Sequence, residues 1–90
     1  MTVPEAREWL RIDNEDNDPI ITGLLTGAVE YITLTTGLNE EAQANSQLAQ
    51  TATKFLLSLW YDPTQVDADK LTRTIDSLLK TLTTLNTTNK

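Results

Sequence analysis

The carboxylates of Asp13-Asn14-Glu15-Asp16-Asn17-Asp18 are the densest set of chemically capable side chains in this 90-residue chain. The chemistry they suggest first is calcium binding. A helix–loop–helix calcium site needs oxygen ligands at its first, third and fifth positions, glycine at the sixth and glutamate at the twelfth. Asp13, Glu15 and Asn17 meet the first three requirements. Asp18 stands where glycine is needed and Leu24 where glutamate is needed, and Pro19 opens a helix at once. The segment therefore reads as a solvated turn ending in an N-cap. A second group is Asp76-Ser77-Leu78, the tripeptide on which small acidic helical carrier proteins hold phosphopantetheine. Such a serine must be exposed at a helix start near mid-chain. Ser77 falls inside a helix instead, with thirteen residues after it and apolar spacing continuous on both sides. Serine there is ordinary helix surface.

Nothing else assembles a reaction centre. Histidine and cysteine are absent, which removes the commonest general base, thiol chemistry, disulfides and Cys/His metal sites. There is no glycine-rich phosphate loop, nucleophile–base pair or basic stripe. Carboxylates in an exposed loop are not a cleft with separated pKa values. Neither enzyme activity nor a cofactor is expected.

The net charge of -6 argues against phosphate-driven nucleic-acid binding. An acidic surface can still lie beside DNA and let it slide past. The charge is uneven. Residues 1–37 hold seven acids and two bases, residues 38–66 three and one, and residues 67–90 three and four. Head-to-tail subunits could use that polarity, although solvated surface is the simpler explanation. No apolar run approaches the roughly 20 residues that span a bilayer. A signal-peptide pattern is missing, so synthesis is expected inside the cell.

The elements that carry these residues are helices. Thr2 and Glu5 form a capping box with Pro4 in the first turn, and the helix is expected to end near Arg11–Ile12. Asp18 as N-cap and Pro19 as first residue open a long helix. Its stripe is Ile21, Leu24, Leu25, Ala28, Val29 and Ile32, and Gly37 ends it. Gly23 and Gly27 inside it mark either a close helix approach or an exposed face. Glu40, Glu41 and Ala42 suggest a helical turn. A broadly apolar helix then runs from Ser46 to Tyr61, stopped by Asp62-Pro63. The last helix starts near Asp67 and continues at least to Leu82. Trp9 and Trp60 lie on apolar stripes and are expected in the core, while Tyr61 is undecided. No segment alternates at period two. The expectation is an all-α bundle of about four helices, with residues 1–82 as its domain and the Thr/Asn-rich 83–90 as a frayed tail.

The order of the pieces resembles the phage head–tail connector family, also called head-completion adaptors. The residues that carry the resemblance are Trp9-Leu10-Arg11-Ile12-Asp13, Asp18 with Ile20-Ile21, Ala28 to Tyr31-Ile32, and Thr36-Gly37. They continue with Phe55-Leu56-Leu57-Ser58-Leu59-Trp60-Tyr61 and Ile75-Asp76-Ser77-Leu78-Leu79. The chain departs from the pattern between Tyr61 and Asp67, where the family carries a longer, more basic loop, so a contact made by that loop does not carry over.

The resemblance implies a virion part at the head–tail junction, assembled in the host bacterial cytoplasm. It implies a homo-oligomeric ring, usually of twelve subunits. That ring would join the portal of a DNA-filled head to the next head-completion or tail protein and lengthen the DNA channel. On that reading the C-terminal segment, with Leu82 and Leu85, docks on the portal. Asp13, Glu15 and Asp16 then face the DNA channel or a neighbouring subunit. DNA passes through unbound in any sequence-specific sense, and no membrane is involved. The rival reading is a small acidic regulatory or immunity-type protein that neutralises one partner. A carrier or helix-turn-helix role ranks below both.

Overall fold

In a computed structural model, residues 1–62, 64 and 67–88 are described, without the side chains of 86–88. Five helices form, and no strand occurs among the described residues: α1 (Val3–Leu10), α2 (Asp18–Thr36), α3 (Glu40–Ala44), α4 (Gln47–Tyr61) and α5 (Ala68–Thr88). The all-α expectation holds, with α3 added to four longer helices.

The helix starts follow local chemistry. At α1 the Thr2 hydroxyl accepts the Glu5 N–H, and Glu5 Oε1 in return accepts the Thr2 N–H at 3.1 Å. Asn39 and Ser46 cap α3 and α4 in the same manner, accepting from Ala42 and Ala49. Asp67 Oδ1 accepts the Lys70 N–H at 3.1 Å at the start of α5. Each interaction satisfies a donor that the helix itself leaves free. The start of α2 corrects the sequence reading by one residue. The N-cap position is Asn17, and Asp18 lies inside the helix. Neither side chain caps it, because both are drawn to other partners.

Three long helices build the main core. Ala28 and Ile32 of α2, Ala49, Ala52 and Leu56 of α4, and Ile75, Leu79 and Leu82 of α5 form one buried cluster. Alanine dominates the α2–α4 contact, and small side chains let those helices approach closely. Close packing is therefore achieved through Ala28, Ala49 and Ala52, not through the glycines. A methyl group at Gly23 would meet nothing within 4 Å, and at Gly27 it would meet only the Trp60 ring at 3.8 Å. Of the two explanations for these glycines, close helix approach fails within the chain.

A smaller cluster of Ala6, Ile21 and Leu57 fixes α1 against α2 and α4. Short α3 is held by two glutamine side chains: Gln50 Nε2 of α4 donates to Gln43 O at 3.1 Å, and Gln43 itself reaches α2. Gln43, 2 % exposed, donates from Nε2 to Leu38 O (2.8 Å), Thr33 Oγ1 (2.9 Å) and Val29 O (3.1 Å). That amide ties α3 to the end of α2. Gly37, at φ 82°, turns the chain out of α2 in the left-handed conformation glycine favours. Helix α5 continues through Thr88, consistent with the expectation that it runs at least to Leu82 and with the helical spacing of Leu85. The frayed-tail expectation falls partly on residues 89–90, which lie outside the described residues, as do 63, 65 and 66 in the connection to α5.

Candidate functional site

The acidic loop is built from the exit of α1. Arg11 takes the left-handed conformation (φ 59°, ψ 44°), and its N–H and that of Ile12 close onto Glu8 O and Arg7 O. Asn14 Oδ1 then accepts the Asp16 N–H at 3.0 Å, tightening the turn. Two contacts dock the loop. Arg7 Nε lies 3.0 Å from Asp18 Oδ1, too poorly aligned for a hydrogen bond but close enough for an ion pair. Asn17 Nδ2 donates to the Tyr61 hydroxyl at 2.8 Å, which places half-buried Tyr61 in a structural role. Glu15 reaches Arg7 only at 4.0 Å and is largely in water.

Asp13, Glu15 and Asp16 are all exposed. They share one loop, and they lie apart from the other residues the sequence singles out. Among the described residues no group of three or more carboxylates has a metal-holding arrangement.

Leu82 and Leu85 meet different environments. Leu82 is 2 % exposed and belongs to the main core, whereas Leu85, one turn on, is 46 % exposed. Surface contact without movement of α5 is open to Leu85 alone. Ser77 lies mid-helix on the exposed side of α5.

The two tryptophans correct the core expectation. Trp9 is 40 % and Trp60 37 % exposed. Trp9 lies against α4, where its indole N–H donates to Ser58 Oγ (2.9 Å) and Lys54 O (3.0 Å). Lys54 Nζ sits 5.4 Å above its ring, and Phe55 packs beside it. Trp60 meets Tyr31 edge-to-face at 5.8 Å on the outer side of α2. Helical spacing names the apolar stripe but not how far the neighbouring helices extend over it. Helix α1 is peripheral, and Trp60 sits at the end of α4.

Two surface features escape a sequence reading. One is the outward face of α2, where Ile20, Tyr31 and Leu34 are exposed in register with Gly23 and Gly27. Its signal is the charge of α2: only Asp18 and Glu30 in 19 residues, and no base. A helix so apolar all round is normally covered on more than one side. The other is a groove of about 310 Å³ between α1, α4 and the start of α5, walled by Trp9, Phe55 and Leu71. Assigning Trp9 to the core conceals it.

These features define a small helical contact protein, whose distinctive surfaces are an acidic loop and uncovered apolar patches. Residues 1–86 match the family described as phage gp6-like head-tail connector proteins. The chain belongs to that family, a class of structural phage virion proteins that interact with other head and tail components. No curated protein and no solved structure matches it. Among the described residues, no helix is long and apolar enough to cross a membrane.

Proposed function

We propose that this chain forms a ring, of twelve subunits, between the portal of a DNA-filled phage head and the next head-completion or tail protein. The ring extends the DNA channel and does no covalent chemistry. The observation that carries the reading is the family match over residues 1–86, which takes in α1 to α4 whole and all but the last two residues of α5. Physical features of the chain support it. A net charge of -6 disfavours adhesion to DNA phosphates, as a channel wall requires. The uncovered face of α2 and exposed Leu85 offer apolar area to neighbours in an assembly.

In this reading residues 1–82 are the ring-forming domain and residues 83–90 the portal-docking segment, with Leu85 as its apolar contact. Leu82 anchors that segment to the core and joins the contact only if the end of α5 lifts away. The acidic loop, with Asp13, Glu15 and Asp16, faces the channel or a neighbouring subunit. The protein works in the virion, at the head–tail junction, after assembly in the host bacterial cytoplasm.

The test is electron microscopy of this protein mixed with the portal of its phage, or with DNA-filled tailless heads. A new ring of density at the portal exit is the expected result, and its symmetry gives the stoichiometry. Bare portals at high protein excess would overturn the reading and favour a soluble partner neutralised by this chain.

A further inference from the structure

The groove walled by Trp9, Phe55 and Leu71 is mostly apolar, and the hydroxyls on its edge are already engaged within the chain. Ser58 Oγ accepts from Trp9 and donates to Lys54 O at 3.2 Å. The hydroxyl of Thr74 donates to Lys70 O at 3.0 Å, and the Asp67 carboxylate accepts from the Lys70 N–H. Small-molecule sites normally keep a few convergent polar groups for specificity. An apolar wall whose hydroxyls are already engaged suits an apolar protein side chain instead. Two cations and one carboxylate border it: Lys54, stacked over Trp9, Lys70, which has no ion-pair partner among the described residues, and Asp67, so the cations prevail by one charge.

One exposed feature of the same molecule complements that border. Ile20, 57 % exposed in the first turn of α2, comes four residues after Asp16, at the end of the loop that carries Asp13, Glu15 and Asp16. The other strongly exposed apolar residues lack such an acidic group beside them: Leu34 sits among threonines and Leu85 beside Thr83 and Thr84. Groove and knob also lie on different sides of α1. Arg7 and Trp9 are two residues apart, about 200° around a helix. Arg7 reaches toward the acidic loop, and Trp9 lies against α4. A surface and its complement on two sides of one body make a head-to-tail contact, the kind that closes into rings.

We infer that the groove receives Ile20 and the acidic loop of a second copy of this chain, with Asp13, Glu15 and Asp16 facing Lys54 and Lys70. The inference rests on the ring reading for its biological setting. It assigns the acidic loop to the subunit interface, not to the channel wall.

The chain contains no cysteine, so introduced thiols report only designed proximities. I20C protein is mixed with T74C protein under mild oxidation, both free at high concentration and on the portal. L34C replaces I20C in a control mixture, since Leu34 is at the far end of α2. The expected result is a mixed I20C–T74C disulfide, identified by mass, at least about tenfold above the control, because docked partners see each other at millimolar effective concentration. Adding K70E to the T74C protein should lower the yield, and raised salt should do the same. Absence of the mixed disulfide in both samples overturns the groove contact, as does equal linkage by L34C. Ring density in the portal sample is scored separately. A ring without the disulfide refutes the groove and leaves the connector reading. The disulfide without a ring on the portal does the reverse.

Discussion

The indole N–H of Trp9 and the backbone carbonyl of Lys54 lie 3.0 Å apart, 45 residues distant in sequence, and the Lys54 ammonium folds back over the same ring. A half-exposed tryptophan is thereby the lateral fastening of α1. Trp9→Phe keeps most of the contact area and loses the hydrogen bonds to Lys54 O and Ser58 Oγ. It should cost about 1 kcal/mol, read from urea unfolding. Trp9→Ala should cost more, and hydrogen exchange should show α1 opening before the rest of the bundle.

Leu82 and Leu85 should separate stability from docking. Leu82→Ala empties part of the core and should cost about 2–5 kcal/mol in thermal unfolding. Leu85→Ala removes an exposed side chain and should change stability by less than about 0.5 kcal/mol. If the terminal segment docks on the portal, only Leu85→Ala gives a fully stable protein that binds the portal weakly.

Gln43 should be costly to replace, although its buried Oε1 finds no partner among the described residues. Substitution by Ala leaves Leu38 O, Thr33 Oγ1 and Val29 O without its amide donor. A loss of about 1–3 kcal/mol is expected, with faster amide exchange in α3 and at the end of α2. Exchange in α5 should change less.

Acid should loosen α1 through Glu5. Its carboxyl is held below the ordinary value of 4.5, first by the Thr2 N–H and then by the Thr2 hydroxyl. A carboxyl whose folded pKa is depressed contributes stability above its unfolded pKa and loses that contribution as pH falls through the folded pKa. The capping contribution should thus be intact above about 4.5 and decline below it. Glu5→Gln should flatten that part of the pH profile. Unfolding curves for both proteins in steps from pH 6 to about pH 3 would show it.

Much of this architecture is legible in the sequence because caps and stops are local. Thr2 with Glu5, Ser46, Asp67 and Gly37 each act within a few residues of themselves, so their chemistry can be read without knowing the fold. The misreadings involve distant partners. Asp18 has the composition of an N-cap, yet Arg7, eleven residues earlier, draws its carboxylate away. Trp60 continues the apolar stripe of α4, but its ring lies against Tyr31 and beside Gly27 at the edge of the bundle and stays 37 % exposed. Leu82 and Leu85 look equivalent by spacing, and only the packing of α5 against its neighbours buries one and leaves the other exposed. The groove beside Trp9 is likewise a product of three elements converging, which no single segment announces.

Asn17 and Asp18 are adjacent in the chain, yet one is fastened to Tyr61 at the end of α4 and the other to Arg7 within α1. Tension applied along the loop is therefore divided between two helices at a single joint, instead of peeling α1 away by itself. In outline the joint resembles the collar where a cable enters its housing. A pull on the loop from outside would then reach α1 and α4 together, and the bundle behind it would keep its shape.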